Sequence, residues 1–283
     1  MIVGVIGYGV VGTATCEVLK RLGHTVLVKD TDPVRIERAY SRGCGALNQD
    51  VEPESVFICV PEGNVREALA SAPCSPITVL RSTVPPGTTE RLSAETGRPL
   101  VFLPETLREA TPIWDAMSPP FMLIGCQDKE LGGIVAEIFA PLMVPYALVP
   151  STIAEMVKLA LNAHFHTLIS FWNEIHLICE LIGVPSHVVG VLCSQDPRVS
   201  TYGARMHGDP AGGTCLPKDL RQLIAFAEDK GYAPMLLKSV QRINEIVRWE
   251  GEEARNGHRS PTELRDLQAA GLIPTRDSEI GLA

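Results

Sequence analysis

Two pairs of polar residues, each spaced i, i+4, bring reactive chemistry into this chain. Lys158 and Asn162 belong to the run Glu155-Met156-Val157-Lys158-Leu159-Ala160-Leu161-Asn162, and on a helix that spacing projects both from one face. Cys215 and Asp219 repeat it within Gly212-Gly213-Thr214-Cys215-Leu216-Pro217-Lys218-Asp219. The glycines ahead of Cys215 put its thiol near the amino end of a helix, where the dipole favours thiolate. A third motif, Gly7-Tyr8-Gly9-Val10-Val11-Gly12, follows a strand and opens a helix. In that context the first glycine permits a tight turn and the second lets the backbone approach a pyrophosphate. The third lets the helix pack closely, with its amino end toward the phosphates. Asp30 ends the next strand, where a carboxylate accepts from both ribose hydroxyls and repels a 2′-phosphate. That favours NAD over NADP, a preference the neighbouring Lys29 weakens slightly.

Each of these residues also has an ordinary structural role. A lone helical lysine is normally solvated, and an arbitrary cysteine is usually core, as is expected of Cys16, Cys59 and Cys179. Glu109 has a local alternative in Arg108 or a helix end. His164 and His166 diverge on a helix at i, i+2 and read as packing or surface residues, so no metal site is expected.

The elements that must position these groups are legible in outline. Val3–Ile6, Thr25–Val28, Ser55–Val60, Ile77–Arg81 and Met122–Ile124 are short, apolar and β-branched, as suits strands buried on both faces of a parallel sheet. Gly12–Leu22 and Pro33–Arg42 read as helices between them, the second opened by its proline. The pattern predicts an α/β fold: a Rossmann-type doubly wound parallel sheet over residues 1–150, followed by an all-helical domain over 151–257. That domain is built on a spine helix, Ser151–Ile182, which starts with a capping-box pattern of Ser151 or Thr152 with Glu155. Helices are expected over Lys218–Lys230 and Pro234–Glu250, and a short one in the tail, 258–283.

Composition narrows the class. With 25 basic and 33 acidic side chains the net charge is −8, which offers no footprint for nucleic acid. No apolar run reaches the length of a membrane span. The eight cysteines show no CxxC spacing and read as reduced thiols, so a cytoplasmic location is expected.

Taken in order, the glycine loop, Arg81-Ser82-Thr83-Val84-Pro85-Pro86-Gly87-Thr88, Pro104-Glu105-Thr106-Leu107-Arg108-Glu109, the Lys158/Asn162 segment and the Gly-Gly-Thr-Cys-x-Pro-Lys-Asp block resemble the nucleotide-sugar 6-dehydrogenases, the UDP-glucose/GDP-mannose dehydrogenase family. The resemblance runs from Met1 to about Trp249. It implies oxidation of a primary alcohol to a carboxylate, with Cys215 as nucleophile and Lys158 with Asn162 as the oxyanion-stabilising pair. Asp219 matches the acid/base partner, and Glu105 the acid/base for thioester hydrolysis, a role suited to a carboxyl that burial raises. Glu109 and Thr83 match groups touching cofactor, substrate or the ordered water. Gly7, Tyr8, Gly9, Val10, Val11, Gly12, Asp30, Arg35, Val60, Pro61, Ser82 and Lys218 fall where the family holds NAD. Leu107, Gly212, Gly213 and Arg198 fall at the substrate, Arg198 often reaching a neighbouring subunit. A homodimer through the spine helix is therefore expected.

The sequence departs from the family in places. Leu216 replaces an aromatic, Leu103 an asparagine, and the stretch between Asp30 and Thr83 is shorter than usual. The tail does not resemble the family's carboxy-terminal nucleotide-binding domain, which implies a compact form in which the substrate is smaller, is held differently, or is completed by another chain. Two other readings stay open. A two-electron β-hydroxyacid dehydrogenase of the hydroxyisobutyrate or phosphogluconate type shares the KxxxN helix pair but has no need of Cys215. A non-catalytic NAD-binding dimer needs none of the polar set.

Overall fold

The structure, a computed structural model, describes residues 1–204, 206–213 and 215–256, with side chains as far as Trp249. The expected tail helix over 258–283 lies outside the described residues. The strands are β1 (Ile2–Ile6), β2 (Thr25–Lys29), β3 (Gly45–Ala46), β4 (Ser55–Ile58), β5 (Ile77–Leu80), β6 (Leu100–Phe102), β7 (Met122–Gly125) and β8 (Tyr146–Val149). They form one sheet in the order β3-β2-β1-β4-β5-β6-β7-β8. Val56 and Ile58 pack in one core with Leu80 and Phe102, whereas Phe57 packs in another with Val3 and Val79. Alternate side chains thus face opposite sides of the sheet and both sides are buried, which is why the strands read as unbroken apolar runs. Neighbouring strands are parallel except β6 and β7, which meet antiparallel at Phe102 and Gly125. Strand order reverses at β1, whose neighbours are β2 and β4, so a crevice opens at the carboxyl ends of these strands.

The connecting helices are α1 (Val10–Arg21), α2 (Pro33–Ser41), α3 (Val65–Ala70), α4 (Thr88–Thr96), α5 (Pro112–Met117) and α6 (Lys129–Phe139). Asp32 caps α2 by accepting from the Val34 amide at 2.9 Å, with Pro33 at the first helical position. The long α7 (Ser151–Leu181) follows, then α8 (Ser186–Cys193), α9 (Cys215–Asp229) and α10 (Met235–Asn256).

The chain folds as two units. The first holds Met1–Phe165 and Gly213–Leu237, and so contains the sheet, the first half of α7 and α9. The second holds His166–Gly212 and the chain from Lys238 onward. Its described elements are helical, and two buried asparagines fasten the glycine-rich segment that leads to Gly212. Asn173 donates to the Asp209 carbonyl at 2.8 Å and accepts from the Gly208 amide at 3.0 Å; Asn244 accepts from the Ala211 amide at 2.6 Å.

Glu155 corrects one expectation. It does not close a capping box on its own helix. Its fully buried carboxylate accepts from the Gly87 amide at 2.5 Å, the Thr89 amide at 2.7 Å and the Thr89 hydroxyl at 2.6 Å. The N-cap of α4 is Gly87, with φ +87° and no side-chain oxygen to offer, so α7 supplies the cap from across the unit.

Candidate active site

The glycine loop joins β1 to α1 in the crevice at the point of reversal. Gly7 has φ +94°, and a Cβ there would lie 2.5 Å from the Cys59 carbonyl oxygen. A Cβ on Gly12 would lie 1.8 Å from the Gly7 carbonyl oxygen, so only glycine lets α1 begin this close to the strand. Gly9 differs: a Cβ there would meet nothing nearer than Arg35 Nη1 at 3.9 Å. The middle glycine therefore keeps an open face at the amino end of α1, whose first-turn amides include those of Val10 and Val11. The Tyr8 ring points away into the core, 2% exposed, while its amide donates to Asp30 Oδ2 at 2.6 Å. The Asp32 amide donates to Asp30 Oδ1 at 2.9 Å, so the Asp30 carboxylate is fixed beside the loop with lone pairs to spare. Arg35 Nη1 is the cation next to it, at 3.9 Å. Lys29 instead donates to the Ser71 carbonyl at 3.1 Å. Val60 and Pro61 follow β4, and Ser82 and Thr83 follow β5, so they line the carboxyl edge of the same sheet. An open glycine face, unpaired helix amides and a fixed carboxylate suit a dinucleotide.

The other polar residues gather on α7, α9 and the segment after β6. Lys158 Nζ pairs with Glu105 Oε1 at 2.9 Å, and both side chains are buried. The Leu107 amide donates to Glu105 Oε2 at 2.7 Å, bending the segment back on itself. Burial alone would raise the Glu105 carboxyl, but the charge and hydrogen bond of Lys158 and the Leu107 amide outweigh it. The net direction is downward, which corrects the expectation of a raised carboxyl. One turn along α7, Asn162 Nδ2 donates to Asp219 Oδ2 at 2.5 Å. Asp219, 1% exposed, also takes Lys218 Nζ at 2.5 Å on Oδ1. Cys215 is the first residue of α9 and is exposed, one turn before Asp219. Gly213 has φ +68°, and a Cβ there would lie 2.8 Å from Glu109 Oε2, so the Glu109 carboxylate rests against the loop ahead of Cys215. Arg198 and Gly212 belong to the second unit, where Arg198 is exposed and pairs with Asp196 at 2.6 Å.

Sequence reasoning gave no role to Arg81, Asn173 or Asn244, and read Glu155 only as a cap of its own helix. Each makes or faces contacts far along the chain; the glycines around Asn173's partners were a local signal, and the spacing at Glu155 pointed to the wrong partner.

Residues 152–246 match the central domain of the UDP-glucose/GDP-mannose dehydrogenase family, and residues 3–60 match the TrkA-N domain. The chain is 30% identical over 292 residues to UDP-glucose 6-dehydrogenase YwqF of Bacillus subtilis, covering 86% of this chain and 66% of that protein. It is 29% identical over 302 residues to UDP-glucose 6-dehydrogenase AglM of Haloferax volcanii, covering 87% and 70%. Among solved structures it resembles a UDP-glucose dehydrogenase from Pyrobaculum islandicum, with TM-score 0.79 and 26% identity over 90% of this chain and 71% of that one. The chain thus spans about two thirds of the length of the curated relatives it matches.

Proposed function

The chain belongs to the UDP-glucose/GDP-mannose dehydrogenase family, and from that premise we propose that it is an NAD-dependent oxidoreductase that takes the primary alcohol of a nucleotide sugar to a carboxylate. The observation that carries this reading is the pairing of Lys158 with Glu105 and of Asn162 with Asp219 along one face of α7, with Cys215 opening the helix that holds Asp219. The chemistry that NAD supplies when bound is acceptance of a hydride. Gly7, Gly9, Gly12 and Asp30 would hold it, with Arg35, Ser82, Thr83 and Lys218 around it.

The protein's own residues account for the rest. After the first oxidation the Cys215 thiolate adds to the aldehyde carbon, forming a C–S bond and an oxyanion. Lys158 and Asn162 donate to that oxygen, each worth about 3–4 kcal/mol in comparable sites. The adduct, a thiohemiacetal, loses its second hydride and becomes a thioester. Glu105, ionised at neutral pH beside Lys158, takes a proton from water; the hydroxide adds to the acyl carbon, the C–S bond breaks, and Cys215 leaves as thiolate. Thr83 and Glu109 would flank substrate and water, and Leu107 and Gly213 would line the sugar. Ile153 and Met156 are apolar and exposed near the start of α7, and they support a homodimer through the long helix with Arg198 serving the neighbouring site. A cytoplasmic location suits this substrate class.

The test is NADH yield per substrate, over UDP-sugars, GDP-sugars and simple sugars, for wild type and Cys215→Ser. Two NADH per substrate in the wild type, with the variant unable to complete the second oxidation, is the expected outcome. One NADH with an unaffected variant overturns it in favour of the β-hydroxyacid reading, which the Lys158/Asn162 pair also suits. NAD binding without turnover on any of these substrates overturns it in favour of a non-catalytic role.

A further inference from the structure

The Lys158–Glu105 pair faces a small cavity of about 50 Å³, room for a few waters, bounded by Leu103, Leu107, Phe121 and Leu161. Arg81, the first residue after β5, lines the same cavity. It is 9% exposed and its Nε–H has no hydrogen-bond partner among the described residues. A guanidinium buried this deeply is costly unless a negative charge faces it. Glu105 is the carboxylate it shares the cavity with that is not already held by an arginine; Asp115, on α5, is taken by Arg108 at 2.6 Å.

This arrangement answers a difficulty in the proposed mechanism, on which the inference rests. Lys158 has two duties: it pairs with Glu105 at rest, and it donates to the oxyanion during reaction. When its charge turns to the oxyanion, Glu105 loses its 2.9 Å partner in a site where burial favours the neutral acid. A protonated Glu105 cannot take a proton from water. We infer that Arg81 is the positioning residue that holds Glu105 ionised, and its water in place, while Lys158 serves the oxyanion. Among the described residues, the charged or titratable groups facing Glu105 are Lys158 from α7, Arg81 just after β5, Cys59 just after β4 and Asp115 across the cavity. A guanidinium suits the task because it stays protonated at every pH at which the enzyme works.

The test compares wild type, Arg81→Met and Arg81→Lys. The expected result is an acid limb of the kcat–pH profile that moves up by about 1 unit or more in Arg81→Met and returns in Arg81→Lys, with KM for NAD and for the nucleotide sugar little changed. Profiles that superimpose, with only the plateau lowered, overturn the inference; Arg81→Gln replaces Arg81→Met if the latter does not fold. A second readout needs no turnover: ¹³C NMR titration of the Glu105 carboxyl in Lys158→Met and in Lys158→Met/Arg81→Met. A higher midpoint in the double variant supports the inference, and coincident titrations overturn it. If the wild type oxidises no nucleotide sugar, the functional reading fails on its own, and this titration still decides whether Arg81 keeps Glu105 ionised.

Discussion

Asn162 Nδ2 donates to Asp219 Oδ2 at 2.5 Å, joining two motifs 57 positions apart in the chain. Asp219 cannot reach solvent, so its remaining oxygen is satisfied by Lys218. Its carboxylate fixes which way the Asn162 amide faces, and Cys215 lies one turn earlier on the same helix. A buried polar bond between α7 and α9 therefore helps to set where the thiol lies.

Asn162→Ala tests that bond. Removing an oxyanion donor in comparable sites lowers kcat about 100-fold or more. The variant also leaves Asp219 with Lys218 alone, so a loss of about 1–3 kcal/mol of stability is expected beside the kinetic loss. Steady-state NADH release and chemical denaturation check the two effects separately. Unchanged kcat with lowered stability would assign the pair a purely structural role.

The glycine loop yields a contrast within one motif. In Gly12→Ala the new Cβ meets the Gly7 carbonyl at 1.8 Å, so the backbone must shift and a loss of about 1–3 kcal/mol is expected. Gly9→Ala places its Cβ where the protein has nothing nearer than 3.9 Å. Its Tm should match wild type while NAD affinity falls about tenfold or more, since the methyl occupies the face left open to the pyrophosphate. Thermal unfolding without cofactor and calorimetric titration with NAD distinguish the two variants.

Much of the first unit was legible because buried parallel strands are apolar on both faces, and β1, β2, β4, β5 and β7 each declare themselves that way. β6, with three residues, and β3, with two, are too short for any periodicity. β8 begins immediately after Pro145 and is an edge strand with no buried residue, Tyr146 and Ala147 both being exposed. In the site, the i, i+4 spacings placed Lys158 with Asn162 and Cys215 with Asp219 on common helix faces. Their surroundings were not legible, because Glu105 and Arg81 meet α7, and Glu155 reaches from α7 to the start of α4, through tertiary packing that no local spacing encodes. Glu155 is instructive: its position matches a capping box, yet the unprotected amides at Gly87 and Thr89 make the stronger claim on it.

Glu155→Ala should therefore damage a distant loop more than its own helix. It strips three hydrogen bonds from the start of α4 and leaves the half-buried Gly87 amide and the buried Thr89 amide without acceptors, a loss of about 3 kcal/mol. Thr83 lies on the segment that enters α4, so amide exchange at Thr83, Val84, Gly87, Thr88 and Thr89 should accelerate while exchange in the middle of α7 stays slow. Uniform acceleration along α7 would instead restore Glu155 to a cap of its own helix.

Glu105→Gln gives the pH dependence, whose sign follows from the direction of the shift. Burial disfavours the charged form, but Lys158 overrides it and the folded carboxyl titrates below its ordinary value. A carboxyl depressed by folding contributes stability that is fully present above its unfolded pKa, about 4.3, and that is lost as pH falls through the folded value. The variant leaves Lys158 buried without its counter-charge, so at pH 7 it should be less stable than wild type by about 3 kcal/mol. As pH falls below the unfolded pKa and then through the lower folded value, the wild-type carboxyl takes up its proton and comes to resemble the amide, and the gap should close. Urea denaturation of both proteins at a series of pH values measures this gap directly. A gap that widened on acidification would mean that burial, and not Lys158, dominates the Glu105 carboxyl, and the water-activating base would then have to be sought elsewhere.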